Sequence, residues 1–334
     1  MKIAVLGTGQ WGSAVAQILC DSGNDVLIWG RNTSVVDEIN SRHTNTNSLP
    51  GISLPQNLKA TADISVAMQY AQMVVLAIPA QSLRENLQQW SSLFRKDVPI
   101  LSSLKGVEVS TQLRMTEVIQ QVLEVSEENL AIITGPNLAR EVVLRQPAGA
   151  VAASVSQELA ELVAKAFNTG YFRVYTSNDV IGCELAGAAK NVIALAVGMA
   201  IGMGFGENTQ SLVITRGLNE VTRLGIARGA MPLTFVGLAG VGDLLATCGS
   251  PLSRNRSFGE ALGRTGSMQS ARADVSSTVE GVSTARAVVD LAHLVGVEAP
   301  IMEAVYEVVS NNITPEQAIR SLMQIQTGAE IDHE

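Results

Sequence analysis

Lys190 stands alone in "CELAGAAKNVIALAVGMAIG", residues 183–202: between Glu184 and Glu207 it is the single formally charged side chain. An ammonium in an apolar, small-residue helix can serve as a general acid if burial and nearby charges tune its proton affinity. Two plainer explanations are open. The run could be a membrane span, but Lys190 and Asn191 interrupt its front while Gly198, Gly202, Gly204 and Gly206 loosen its back. That leaves the apolar stretch from Val192 short of the roughly 20 residues a span needs. Alternatively, Lys190 could lie on the surface, its stem along apolar neighbours and its head in water. Histidine offers little competition as a proton donor. His43 falls in a Thr/Asn-rich loop, His293 in an apolar helix and His333 in the C-terminal tail.

A second constellation is "GTGQWG", which places Gly7, Gly9 and Gly12 in G-x-G-x-x-G spacing directly after a strand candidate and at the opening of a helix. In that context Gly7 permits the tight turn, Gly9 the close approach of a pyrophosphate, and Gly12 the packing of helix on strand. The helix start presents unpaired N–H groups and a positive dipole end to phosphates. A tight turn without a ligand is the alternative. At the end of the second strand, where an acid would select NAD, "IWGRN" carries Arg31. A guanidinium pairs with a 2′-phosphate, which favours NADP over NAD. Stacking of Arg31 on the adenine, with both cofactors accepted, is the competing reading.

Further polar residues occupy apolar or turn-like settings. Lys105 lies in "SLKGVE" just past a strand end, where open α/β sheets place their ligands. Gly135 and Asn137 follow another strand end in "TGPNLARE", Asp243 interrupts "GLAGVGDLLATC", and "PLSRNRSFG" supplies Ser253, Arg254, Asn255 and Arg256. Together they read as ammonium, carboxylate and guanidinium groups around an anionic substrate. Singly, Asp243 could cap a helix, Arg254 and Arg256 could form a solvated face, and Lys105 could be a surface lysine.

The elements that must position these residues divide the chain in two. Short apolar runs at 3–6, 26–29, 73–78, 99–102, 131–134, 148–153 and 172–175 alternate with amphipathic segments at 12–22, 33–42, 81–94, 111–122 and 157–168. This is the pattern of a parallel sheet covered by helices. "TNTNSLPGISLP" reads as a loop. After about residue 177 helical runs rich in Ala, Leu and Val replace the strands, so the expected fold class is α/β: a Rossmann-type doubly wound sheet over residues 1–177, then an all-α domain over 178–334. Near the end Thr314, Pro315 and Gln317 spell a capped helix start.

With 334 residues, 46 % hydrophobic and 16 % charged, the chain is long enough for two cores and is neither disordered nor fibrous. Its formal net charge of -8 repels nucleic acid and anionic membranes, so neither is an expected partner, and an anionic ligand must be held by local donors. No His/Cys cluster has metal-ligand spacing. Cys20, Cys183 and Cys248 are scattered, which fits a reducing cytosol, and "MKIAVLGTGQWG" runs straight into the glycine turn instead of reading as an export signal. A cytoplasmic location is expected.

The ordered motifs "GTGQWG", "LKGVE", "TGPN", "ELAGAAKNVIALAVG", "GLAGVGDLLATC" and "SRNRSFG" closely resemble those of the NAD(P)-dependent glycerol-3-phosphate dehydrogenases over nearly the whole chain. The resemblance implies a cytosolic enzyme, usually a homodimer, that interconverts dihydroxyacetone phosphate and sn-glycerol 3-phosphate and feeds glycerophospholipid synthesis. Carried over by residue, Lys190 is the proton donor and acceptor, with Lys105, Asp243, Thr247 and Asn191 beside it. Arg254 and Asn255 hold the substrate phosphate next to Ser253, and Gly135 and Asn137 belong to the same substrate group. Cofactor contacts fall on Gly7, Gly9, Gln10, Trp11, Gly12, Arg31, Ala139 and Glu280 of "TVEG", and Lys105 and Arg254 serve both ligands. Gln10 and Asn137 each replace a serine usual in the family. The 6-phosphogluconate, 3-hydroxyisobutyrate and ketopantoate enzymes also join a Rossmann domain to a helical one, but lack the "SRNR" segment. A non-catalytic NAD(P) sensor would have no use for Lys190 with Asp243.

Overall fold

The computed structural model describes residues 1–274 and 279–325, so that Thr278 of "TVEG" and His333 lie outside the described residues. An eight-stranded sheet organises the first half. Its strands are β1 (Lys2–Leu6), β2 (Asp25–Trp29), β3 (Lys59–Thr61), β4 (Met73–Leu76), β5 (Ile100–Ser102), β6 (Leu130–Thr134), β7 (Ala148–Ala153) and β8 (Phe172–Ser177). They lie in the order β3-β2-β1-β4-β5-β6-β7-β8, so the winding reverses between β1 and β4 and opens a crevice at their carboxyl ends. Covering helices are α1 (Gln10–Asp21), α2 (Thr33–Arg42), α3 (Ile64–Tyr70), α4 (Leu83–Trp90), α5 (Met115–Leu123), α6 (Ala139–Val143) and α7 (Gln157–Phe167).

The inner strands β1, β2, β4, β5 and β6 are largely apolar because both faces are covered, whereas the edge strands β3 and β8 carry exposed polar residues such as Lys59 and Arg173. Ile3, Val5 and Val75 pack on one side with Val15 and Ile18 of α1, while Ala4, Leu6, Val74 and Leu76 pack on the other with Leu83, Leu87 and Ile119. The expected all-parallel sheet needs one correction: β7 runs antiparallel to β6, and β8 is parallel to β7. Residues 135–147, which include the short helix α6, join β6 to β7, and the chain doubles back along β6. The edge strand β3 and helix α3 are additional to the expected elements. Helix α5 starts at Met115 instead of near residue 111, because residues 107–114 close into a turn with an antiparallel bridge between Val107 and Arg114.

Beyond Ser177 the described residues form α8 (Val180–Gly202), α9 (Glu207–Ala227), α10 (Pro232–Phe235), α11 (Asp243–Gly249), α12 (Arg254–Thr265), α13 (Met268–Asp274), α14 (Glu280–Leu294), α15 (Pro300–Val309) and α16 (Pro315–Gln324). Thr314 and Gln317 cap α16 reciprocally, as their spacing predicts. Helix α8 has 23 residues and starts where the Asp179 carboxylate accepts from Gly182 N–H. It is long and apolar enough for a span, which corrects the expected shortness, but 83 % of its apolar window is buried inside the fold. It is the core helix of the second half.

Glycines let α12 sit directly on α8. A Cβ at Gly198 would stand 2.1 Å from the Arg256 carbonyl oxygen, and one at Gly259 would stand 2.3 Å from that of Leu195. Both neighbours are backbone and cannot yield. Replacing Gly198 by Ala should therefore destabilise the protein by about 3 kcal/mol, the upper range for overpacking, despite alanine's better helix propensity. At Gly249, where a Cβ meets nothing within 4 Å, the same change should be neutral or mildly stabilising. Urea unfolding of the two variants checks the contrast.

Candidate active site

The segments that follow β1, β2, β4, β5 and β6 at the carboxyl edge of the sheet face the start of α12 across a cleft of about 600 Å³. Gly7 adopts φ of +132°, and a Cβ there would collide with the Ala77 carbonyl at 2.3 Å, while one on Gly12 would meet the Gly7 carbonyl at 2.0 Å. Only glycine fits either position. Above Gly9 a Cβ would meet nothing within 4 Å, which leaves room for a ligand's phosphates. Gly9 caps α1 without a side-chain bond, so the first N–H groups of that helix point into the cleft. Gln10 and Trp11 line it, and the buried indole Nε1 of Trp11 has no protein partner among the described residues. These features fit a nicotinamide dinucleotide. Arg31 also lines the cleft, and its guanidinium donates to the Oδ1 of Asn86 on α4. No carboxylate pairs with it among the described residues.

Lys190 is 8 % exposed, which removes the surface alternative. Its Nζ donates to Asp243 Oδ1 at 2.5 Å and to Thr247 Oγ1 at 2.7 Å. Lys105 Nζ takes the other carboxylate oxygen, Oδ2, at 2.6 Å and donates also to the Gly135 carbonyl at 3.0 Å. Asp243 is 1 % exposed and spends its side chain on the two ammonium groups, not on capping α11. A five-residue π-turn over Leu238–Gly242 delivers it there. The Thr247 hydroxyl donates to the Asp243 carbonyl at 2.7 Å and so offers its lone pairs to Lys190. Burial, aided by the nearby Lys105, pushes the Lys190 ammonium down to about 8 against the opposing pull of Asp243.

At the other end, Ser253 caps α12 by accepting from Arg256 N–H, and Arg254 and Asn255 follow as the first helical residues. All three line the cleft, and Arg254 is exposed. Asn255 has a structural task as well: its Nδ2 donates to Asn191 Oδ1 at 2.9 Å, and its Oδ1 accepts from Gly281 N–H at 2.9 Å. Glu280 closes the cleft. Burial raises its proton affinity, with Arg254, Lys190 and Lys105 pulling the other way.

The cleft therefore gathers nearly all the residues singled out from the sequence: Gly7, Gly9, Gln10, Trp11, Gly12, Arg31, Lys105, Asn137, Ala139, Lys190, Asn191, Thr247, Ser253, Arg254, Asn255 and Glu280 line it. Gly135 and Asp243 stand behind the lining as partners of Lys105. Asn137 donates to the Gly149 carbonyl at 2.9 Å, and its Oδ1 is buried without a protein partner among the described residues. Arg256 stays outside, 4.0 Å from Glu260. Sequence reasoning did not single out Arg84, Arg114 or Glu184, which support the Lys105 loop. Glu184 was visible as the other charge in the α8 run, but its partner Arg114 is 70 residues away.

The N-terminal family of NAD-dependent glycerol-3-phosphate dehydrogenases matches residues 2–160 and the corresponding C-terminal family matches residues 179–320. The NAD(P)+ glycerol-3-phosphate dehydrogenase of Streptomyces avermitilis is 49 % identical over 323 residues, which cover 97 % of this chain and 96 % of that one. The relative of the same name from Corynebacterium jeikeium is 48 % identical over 97 % of this chain and 98 % of its own. Among solved structures, glycerol-3-phosphate dehydrogenase from Coxiella burnetii superposes with a TM-score of 0.91 at 32 % identity, covering 96 % of this chain and 98 % of that one. A 2-dehydropantoate 2-reductase from Geobacter metallireducens shares only the fold, with a TM-score of 0.60 at 14 % identity over 94 % of this chain and all of that one. With both halves matched and the cleft built as described, the chain belongs to the NAD(P)-dependent glycerol-3-phosphate dehydrogenase family.

Proposed function

We infer that this chain catalyses the reversible NAD(P)H-dependent reduction of dihydroxyacetone phosphate to sn-glycerol 3-phosphate, the step that feeds glycerophospholipid synthesis. The observation that carries this reading is the meeting, in one cleft, of the glycine turn, the buried Lys190 and the Arg254 end of α12. When bound, the nicotinamide supplies the hydride. Lys190 donates a proton to the carbonyl oxygen as it becomes an alkoxide, and in the reverse direction neutral Lys190 takes that proton back. Asp243 and Thr247 orient its Nζ, and Asn191 and Lys105 complete the wall around the reacting end. Arg254, Ser253, Asn255 and the α12 N-terminus receive the phosphate, with Gly135 and Asn137 on the opposite loop.

On the cofactor side, Gly7, Gly9, Gln10, Trp11 and Gly12 hold the pyrophosphate, while Ala139, Glu280, Lys105 and Arg254 complete the contacts. Arg31, charged and without a carboxylate partner among the described residues, makes NADP(H) the favoured cofactor. We read residues 1–177 as the dinucleotide domain and 178–334 as the substrate domain, of a cytoplasmic homodimer. The apolar side chains of Met231, Leu233, Val236 and Leu245 are exposed, as residues covered by a second copy would be in an isolated chain.

Lys190→Met keeps much of the stem's packing and removes the charge. It should bind NADPH normally yet lose about 10² to 10⁴ in turnover at saturating dihydroxyacetone phosphate, the worth of a positioned acid. Because reduction needs the ammonium, wild-type turnover for reduction should fall as pH rises through about 8, whereas oxidation of glycerol 3-phosphate should rise over the same interval. Wild-type turnover in the Met variant would return Lys190 to a packing role.

Arg254→Ala should raise the KM for dihydroxyacetone phosphate by about ten-fold or more, since a charge-assisted bond to phosphate is worth roughly 1.5 to 3 kcal/mol. Unphosphorylated dihydroxyacetone should be a poor substrate for the intact enzyme and lose little further activity in the variant, and an equal loss on both substrates would make Arg254 structural. Arg31→Ala should weaken NADPH more than NADH in a fluorescence titration. An equal loss for both would show that the guanidinium stacks on adenine without reading the 2′-phosphate.

A further inference from the structure

Lys105 reaches Asp243 from a loop, not from a regular element. Residues 105–114 follow β5 and fold back through the bridge between Val107 and Arg114, with Glu108 N–H donating to the Leu113 carbonyl at 2.9 Å. Where the Lys105 ammonium sits thus depends on what holds this loop. On the sheet side, Gln81 donates to the Val107 carbonyl at 2.8 Å and accepts from Val109 N–H at 3.1 Å, and Arg84 forks onto the Glu108 carboxylate at 2.9 to 3.1 Å. On the other side the loop runs along α8, the helix that carries Lys190.

Glu184, Gly187 and Asn191 recur at three- and four-residue spacing and share one face of α8. Asn191 Nδ2 reaches the Lys105 carbonyl at 3.5 Å, and a Cβ on Gly187 would stand 3.6 Å from the Lys105 Cγ, so the lysine stem lies over that glycine. Glu184 fastens the far end of the loop. Its carboxylate accepts from Arg114 Nη1 at 2.6 Å, from Thr116 N–H at 2.9 Å and from the Thr116 hydroxyl at 2.6 Å. The Glu184 side chain is 3 % exposed, and burial raises its proton affinity despite those donors. A buried ion pair is a poor source of stability compared with apolar packing, and here the carboxylate ties Arg114 and Thr116 directly to α8.

We propose that Glu184 is a positioning residue for the reaction: by clamping Arg114 and Thr116 to α8, it sets Lys105 on Asp243 and so fixes the charge beside Lys190. The proposal rests on the roles given above to Lys190, Lys105 and Asp243. The groups facing Lys190 are Asp243 and the Cys248 thiol from α11, Lys105 from the loop, and Glu280 from α14. Of these Lys105 is the cation that shares the Asp243 carboxylate with Lys190, and Arg254 of α12 lines the same cleft beside Glu280. When the clamp opens and Lys105 recedes from Asp243, its repulsion of Lys190 weakens and the carboxylate is left to Lys190 alone. Both changes hold the proton on Lys190 to higher pH.

The test compares Glu184→Gln, Lys105→Ala and the double variant, with turnover in both saturating substrates followed across pH and melting temperature recorded for each. Glu220→Gln is the control, because Glu220 caps α15 through Ile301 and Met302 N–H and lines no part of the cleft. Glu184→Gln should lower turnover by about ten-fold, the order expected for a small misplacement of a charged group, and move the high-pH limb of reduction upward. In the Lys105→Ala background it should cost nothing further. Glu220→Gln should lower the melting temperature without moving the limb. Should Glu184→Gln not fold, Thr116→Val, which removes one donor to the same carboxylate, takes its place in the cycle. An unmoved limb, or losses that multiply in the double variant, overturns the positioning role. Wild-type turnover in Lys105→Ala removes the reading of the site itself, and with it the proposal.

Discussion

One buried carboxylate, Asp243, holds two ammonium groups, and the surrounding structure is arranged to make that arrangement tolerable. Taking ions out of water costs several kcal/mol each, and the cost is recovered only when each charge meets partners at good geometry. Here both carboxylate oxygens carry an ammonium, and each ammonium has a further oxygen, from Thr247 or from the Gly135 carbonyl. The cluster retains a net positive charge, and Arg254 adds to it at the mouth of the cleft. A protein of net charge -8 thereby presents a local cationic pocket to a phosphorylated substrate.

That cluster draws its members from distant parts of the chain, so its geometry depends on how closely the helices approach. Lys190 comes from α8, Asp243 and Thr247 from α11, and Lys105 from the loop after β5. Helix α12, whose first residues face the same cleft, is pressed onto α8 by glycines on both partners: Gly198 and Gly202 on one, Gly259 and Gly263 on the other. Larger residues would hold the two axes apart and carry Arg254 away from Lys190. The small-residue character of α8 therefore serves packing along its second half and the Lys105 stem at Gly187.

Much of this was legible in the sequence because it is local. The glycine spacing at 7, 9 and 12 encodes a turn whose collisions appear in the structure as expected, and the change in composition near residue 177 coincides with the last strand, which ends at Ser177. A single lysine in an apolar helix was a sound pointer to a buried charge. What was not legible depends on tertiary context. The reversed direction of β7 leaves no mark in a strand buried on both faces, where periodicity is silent about orientation. The helix expected from residue 111 begins only at Met115, because Gln81, Arg84 and Glu184, remote in sequence, hold Val107, Glu108 and Arg114 in a turn.

The pairing of two cations with one anion also bears on the step at which Lys190 gives up its proton. With Lys190 as sole partner, proton transfer would leave Asp243 as an uncompensated buried charge, a loss on the order of 3 to 5 kcal/mol in comparable sites. With Lys105 on the second oxygen, the carboxylate stays paired before and after transfer, and only the sum of charges in the pocket changes. Lys105 also lowers the proton affinity of Lys190, so the group that keeps Asp243 paired is the same one that makes the proton easier to release. On the reading of Lys190 as the acid, the second lysine thus moderates the electrostatic cost of the chemistry in both directions, which is why its position on a well-anchored loop matters as much as its charge.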